Sequence, residues 1–314
     1  MALHRLARIT MGVPDVDATH AYYADFGLTA LSRGCFASAD GGEQLKIVHA
    51  ARRRLDELVV AVDDTDDLGR IGAALDRLET PYVLSPGSLR AVDPGTEVTV
   101  TVEVQPRLAQ PAAEVVAYNG PGRTERPDGR APGVLREDVV RPRRLGHVVL
   151  GSTDQEVSQR FFTDGLGFKV SDLVPGAAFL RCSSDHHNVL VQQAPVPFLH
   201  HSSWQVDDVD EVGRGATRML EGHPERHVWG LGRHHLGSNF FWYLKDPAGN
   251  MRETLRVYLA EERSLRAAAE RLHVARNTVT YRVKRAQELL PPTALTDSTL
   301  ELRLALELAR SQFG

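Results

Sequence analysis

Nine of the thirteen histidines in this 314-residue chain fall between His147 and His235. Neutral imidazole binds first-row divalent metals. Two histidines and one carboxylate on one face of an ion leave three positions open, the arrangement used by non-haem Fe(II) oxygenases. Cys35 and Cys182 are the only cysteines and form no C-x-x-C pair, so a metal here has to use His and carboxylate. His147 in RLGHVVLGS and His201 in LHHSSWQVDD each lie in a strand-like run, and Glu253 follows the turn-forming Asp246 by seven residues. These three are the candidate metal ligands.

The elements that must position them emerge from an internal repeat. RLARITMGV (5–13) followed by DATHAYYADFGL (17–28) matches RLGHVVLGS (144–152) followed by EVSQRFFTDGLGF (156–168). LDELVVAVDDTDDLGR (55–70) matches LHHSSWQVDDVDEVGR (199–214) in the same way, an alternating strand that ends in Val-Asp-Asp and runs into an amphipathic helix. Further alternating runs and the turns at Asp93-Pro94-Gly95 and Asp246-Pro247 complete each unit. The pattern predicts an α+β chain of four βαβββ modules in two tandem domains, 1–105 and 144–253, joined by a Pro/Gly/Arg-rich linker over 106–143. Aligning the halves sets Arg8 opposite His147, Glu57 opposite His201 and Val100 opposite Glu253, so the ligand set belongs to the second half alone. After Glu253 the apolar period changes to 3.6 residues, which predicts a third, all-α domain over 254–314.

Plainer roles are open to several of these side chains. Strand alternation turns His200 away from His201, and His186 and His234 read as the outward-facing neighbours of His187 and His235. His223 and His227 fit a solvated loop, and Tyr243, inside Phe240-Phe241-Trp242-Tyr243, could fill core.

LGHVVL, LHHSSWQVDD, GRHHLGSNFFWYLKDPAGN and the spaced Glu253 together resemble the vicinal oxygen chelate superfamily, and within it the type I extradiol catechol dioxygenases, over roughly residues 1–253. The resemblance implies Fe(II), or alternatively Mn(II), held by His147, His201 and Glu253. It implies catalytic roles for His187, His235 and Tyr243, and a catechol and O2 as reactants. Two-domain members of the family likewise look as though only the C-terminal half kept its metal. One departure stands out: the family follows this Glu with an aromatic residue and further covering chain, whereas here Thr254-Leu255-Arg256 opens a helical pattern. Two functions therefore stay open, a ring-cleaving dioxygenase with an appended domain and a catechol-responsive regulator that uses a vestigial dioxygenase cavity as its sensor.

The appended segment, SLRAAAERLHVARNTVTYRVKR, is organised as a helix-turn-helix. Ser264 can cap a helix with Leu265, Ala268 and Leu272 inward, and a second helix from Asn277 turns Val279 and Val283 inward. From Arg263 to Arg285 seven Lys/Arg stand against one acid, Glu270, although the whole chain carries a net charge of −4. The segment is similar to the C-terminal DNA-binding domain of PucR-type regulators. That likeness implies DNA as a partner, contacted by Arg276, Asn277, Thr278 and Arg282, and a homo-oligomer is expected on half-site grounds. No apolar run reaches the roughly 20 residues of a membrane span, and the N-terminus lacks the apolar core of a secretory signal, so the expected location is the cytoplasm.

Overall fold

The computed structural model describes residues 3–32, 34–112, 128, 136–247, 264–272, 279, 280 and 283. The first half runs β1 (Leu3–Val13), α1 (Val16–Asp25), β2 (Thr29–Ser32), β3 (Cys35–Ala37), β4 (Glu43–His49), then β5 (Arg54–Val62), α2 (Thr65–Arg77), β6 (Tyr82–Ser85), β7 (Ser88–Val92) and β8 (Thr99–Val104). These strands form one eight-stranded sheet in the order β2-β3-β4-β1-β5-β8-β7-β6, two βαβββ modules joined through the antiparallel β1–β5 pair.

The second half repeats the plan with β9 (Arg144–Ser152), α3 (Gln155–Arg160) continued by a π-helical turn over Phe161–Gly165, β10 (Lys169–Val174), β11 (Ala177–Arg181) and β12 (Val189–Gln193). Its last module runs β13 (Phe198–Gln205), α4 (Val209–Leu220), β14 (His227–Arg233) and β15 (Phe240–Leu244). Here the sheet divides. β10-β11-β12-β9-β13 is five-stranded, and β14 pairs with β15 as a separate ribbon. In the first half β8 lies between β5 and β7; among the described residues no strand takes that place between β13 and β15.

Local chemistry explains why the repeat folds twice alike. Asp15, Asp64, Asp154 and Asp208 each precede a helix, and each side chain accepts a hydrogen bond from the backbone N–H three residues on, at 2.9–3.1 Å. Such a cap stabilises a helix start by about 1 kcal/mol. Inward strand residues then fill a single hydrophobic core that runs through both halves and contains Leu58, Leu75 and Val100 from one and Leu150, Phe162 and Leu180 from the other. The halves pack crosswise. A Cβ on Gly165, in the second half's first module, would lie 2.9 Å from Leu75 of α2, and Tyr23 of α1 faces Trp204 of β13 with ring centroids 6.5 Å apart.

At the far end α5 (Leu265–Leu272) begins as expected: Ser264 Oγ accepts a 3.2 Å hydrogen bond from the Ala267 N–H. Ala268, Val279 and Val283 are buried. Arg276, Asn277, Thr278 and Arg282 lie outside the described residues, as does Glu253. Among the described residues no helix is long and apolar enough to cross a membrane.

Candidate metal centre

The centre is built on the antiparallel pair β9–β13, where Val149 faces His201 and Ser203 faces His147. The first half has the same register, with Thr10 facing Glu57 and Val59 facing Arg8. His147 and Arg8, and likewise His201 and Glu57, are therefore spatial counterparts as well as sequence counterparts. His147 Nε2 and His201 Nε2 stand 3.2 Å apart. Two imidazole nitrogens on one ion at about 2.1 Å, at roughly right to tetrahedral angles, stand about 3.0–3.4 Å apart. Burial, reinforced by neighbouring histidines, holds the pKa of both rings well below the usual histidine value, which keeps their lone pairs free of protons near neutral pH. The pair fits two cis positions on a metal ion. Among the described residues no third ligating side chain joins them, and the expected third ligand, Glu253, is outside that set.

Around the pair the other rings form a continuous series. His187 is buried with its centroid 4.2 Å from that of His147, and burial pushes its pKa down to about 4. His186, half-buried, bonds His187 through their Nδ1 atoms at 3.1 Å and bonds Asp172 Oδ2 through Nε2 at 2.6 Å. On the other flank Tyr243 meets the His201 ring edge-on at 5.0 Å, and its hydroxyl lies 3.3 Å from His234 Nε2. Burial pushes the Tyr243 phenol up to about 12, so it remains a proton donor at neutral pH. His147, His201, His234 and Tyr243 line one cavity of about 730 Å³, whose walls also include Tyr23 and Phe241.

Three expectations are corrected, and two have the same cause. His235 is exposed, while His234 is the member of the pair that reaches the cavity. The β14–β15 ladder slips between Trp229 and Gly232; this bulge moves Gly232 and His234 onto the face of Phe241 and Tyr243, where simple alternation from Trp229 would have placed His235. His200 does not turn away from His201: their Nδ1 atoms are 2.7 Å apart, next to a second slip between Leu199 and His201. That contact occupies one nitrogen of His201 and leaves Nε2 toward His147, the orientation a metal-ligating histidine usually needs. Finally, Val100 lies fully in the core. The positions of β8 that share the face of Glu57 are Thr99 and Thr101, and Thr101 Oγ1 donates to Glu57 at 2.7 Å, so a cavity-facing counterpart of Glu253 is one residue removed from Val100.

The corresponding place in the first half holds opposed charges. Arg8 lies 3.6 Å from Glu57 and 3.6 Å from Glu43. The parallel ladders set Leu45 beside Ile9 and Val189 beside Val148, which makes Glu43 the counterpart of His187. Where the second half gathers three imidazoles, the first half neutralises a guanidinium with carboxylates.

The fold and this site define a class. Residues 144–254 match the Glyoxalase/Bleomycin resistance protein/Dioxygenase superfamily, and residues 251–308 match the PucR C-terminal helix-turn-helix domain. The chain belongs to that superfamily and ends in a PucR-type helix-turn-helix domain. It is 32% identical over 267 residues to Metapyrocatechase 2 of Cupriavidus necator, covering 80% of each chain. It is 25% identical over 260 residues to biphenyl-2,3-diol 1,2-dioxygenase of Pseudomonas sp. (strain KKS102), covering 79% of this chain and 87% of the relative. Among solved structures, the Mn(II)-bound glyoxalase from Novosphingobium aromaticivorans superposes with a TM-score of 0.61 at 29% identity, over 79% of this chain and 80% of that one.

Proposed function

We propose that the chain is an extradiol dioxygenase that opens a catechol ring beside its two hydroxyls, inserting both atoms of O2, and that its C-terminal domain binds DNA. The 3.2 Å approach of two neutral, half-buried imidazole nitrogens in a cavity walled by aromatic side chains carries this reading. His147 and His201, with Glu253 as third ligand, would hold Fe(II) or Mn(II), which when bound supplies positive charge to the catecholate oxygens and a meeting place for catechol and O2.

The remaining residues handle protons and shape. Tyr243, protonated at working pH, donates a hydrogen bond to a substrate oxygen, with His234 behind it to accept and return the proton. This is the role that the family resemblance gave to His235. His187, held neutral beside His147, accepts a proton on the flank away from Tyr243. The cavity of about 730 Å³ has room for a catechol with a ring substituent.

A second reading is favoured by one observation: the superfamily match ends at residue 254 and the PucR-type match begins at residue 251, so four residues belong to both. On that reading the cavity senses a catechol and the DNA-binding domain reports it, with Arg276, Asn277, Thr278 and Arg282 on the DNA. Anaerobic reconstitution with Fe(II), followed by 2,3-dihydroxybiphenyl and simpler catechols in air, separates the two. Yellow product and oxygen uptake, both lost in His147→Ala, support the enzyme. Metal binding without turnover, together with a DNA affinity that changes when metal and catechol are added, supports the sensor.

A further inference from the structure

Arg53 belongs to the half of the molecule without the histidines, in the short turn between β4 and β5, yet its guanidinium is committed to the other half. Nε donates to Asp246 Oδ2 at 2.7 Å, and Nη1 donates to the Leu199 carbonyl at 2.8 Å with the His200 carbonyl 3.5 Å away. The pair is largely shielded from water, the Arg53 side chain 17% exposed and that of Asp246 7%. Its two attachment points matter. Leu199 and His200 are the residues of β13 just before His201, and Asp246 follows β15 two residues after Leu244, so the group spans the strand of a ligand and the strand of Tyr243. Those two strands share no ladder among the described residues. In the first half the equivalent spacing is set by backbone hydrogen bonds through β8.

The internal repeat shows that the fold itself does not demand this ion pair. Asp93 heads the matching Asp-Pro turn and is fully buried, but neutral groups hold it: Thr96 Oγ1 and Ser158 Oγ donate to Oδ2, the latter across the joint between halves at 2.8 Å. The counterpart of Arg53 in the second half is Pro197. A shielded ion pair gives little net stability over neutral packing, and its attested benefit is a fixed geometry. Of the two Asp-Pro turns, the one beside the imidazole pair carries the charged clamp.

The geometry points to Arg53 as a positioning residue for the proposed metal centre, one that fixes β13 against the end of β15 and so sets His201 and Tyr243 at their working separation. The assignment rests on the dioxygenase reading and adds to it a task for the half that lacks ligands. Arginine suits the task because its planar fork reaches a carboxylate and carbonyls at once, whereas lysine offers a single point charge.

The test uses the full chain and Mn(II) alone as probe, with affinity measured by titration calorimetry and local protection by hydrogen exchange. Arg53→Gln should weaken Mn(II) binding by about 10-fold or more, the scale seen when a partner behind a metal ligand is lost. Exchange should rise over 198–205 and 240–247, and kcat at saturating Mn(II) should fall more than KM rises. Arg53→Lys should recover part of each effect, and it also decides the matter if the Gln variant does not fold. Wild-type Mn(II) affinity and kcat in the Gln variant, or in the Lys variant when only that one folds, with binding lost in His147→Ala, would overturn the assignment and leave the dioxygenase reading intact. A wild-type chain that binds neither Mn(II) nor, under anaerobic conditions, Fe(II) would remove both.

Discussion

Gly95 is the position where one added methyl group should do the most measurable damage to the joint between the halves. It follows Asp93-Pro94 in the first half and lies against the start of α3 in the second. A Cβ there would overlap Ser152 Oγ and Ser158 Oγ and come within 2.7 Å of the Asp154 carbonyl oxygen. The hydroxyls can rotate, but the carbonyl cannot, because Asp154 caps α3 and its backbone moves only with the helix. Overpacking of this kind costs about 1–3 kcal/mol. The displaced hydroxyls also hold Ser158 Oγ to Asp93 at 2.8 Å and to Ser152 Oγ at 2.7 Å, and the Thr153 N–H donates to the Gly95 carbonyl at 3.0 Å. Losing two of these bonds adds about 1 kcal/mol each. Gly95→Ala should thus be destabilised by about 3–5 kcal/mol, which urea unfolding followed by far-UV circular dichroism would report as a midpoint lower by about 1–2 M. None of Asp93, Gly95, Ser152 and Ser158 lines the cavity, so Mn(II) affinity of the folded variant should stay within about two-fold of wild type, as for a distant independent site. A loss below about 1 kcal/mol would refute the steric argument, and a large loss of Mn(II) affinity would refute the separation of joint from site.

The two adjacent histidines of the β14–β15 connection should behave differently: His234→Ala should lower kcat by about 100-fold, the lower end for a proton-transfer group, while His235→Ala stays near wild type in the same oxygen-uptake assay. Mn(II) at about 100 times its dissociation constant should stabilise the chain by about 2.7 kcal/mol, a rise in melting temperature of about 5–10 °C that is absent in His201→Ala. Burial raises the Asp93 carboxyl above the ordinary carboxylate range against the pull of its hydrogen bonds. A raised folded pKa gives a contribution that is full below the unfolded value near 4 and is lost as pH rises through the folded one. The stability of Asp93→Asn relative to wild type should therefore improve from pH 4 to pH 7 in urea unfolding, and a flat difference would count against the buried carboxylate.

Much of the site can be read before folding, because strand register follows from alternation that the chain writes twice. The pairing of Arg8 with His147 needs only the matching RLARITMGV and RLGHVVLGS runs, that of Glu57 with His201 only LDELVVAVDD and LHHSSWQVDD, and the Val-Asp-Asp ends of the latter two mark the starts of α2 and α4. What escapes is non-local. The choice of His234 over His235 turns on a bulge set by how β14 packs on β15, and the position of His200 on another at Leu199. The offset at Val100 arises because the second turn, Asp-Pro-Ala-Gly, carries one residue more than Asp-Pro-Gly. Arg53 gave no signal at all: its partners lie 146 and 193 residues further along the chain, and nothing in an Arg-rich turn announces which distant carboxylate it will meet.

The common core has a consequence for how the two halves can change over time. Because Leu75 and Phe162 belong to one apolar cluster, neither half presents a finished surface when taken alone. A second half freed of its neighbour would expose the apolar faces that α1 and α2 now cover. Drift in the first half is thereby split in two. Arg8, Glu43 and Glu57 of its polar pocket can vary apart from the shared core, while its packing side chains are tied to the half next door. A domain without an imidazole pair of its own still serves as the other domain's missing wall.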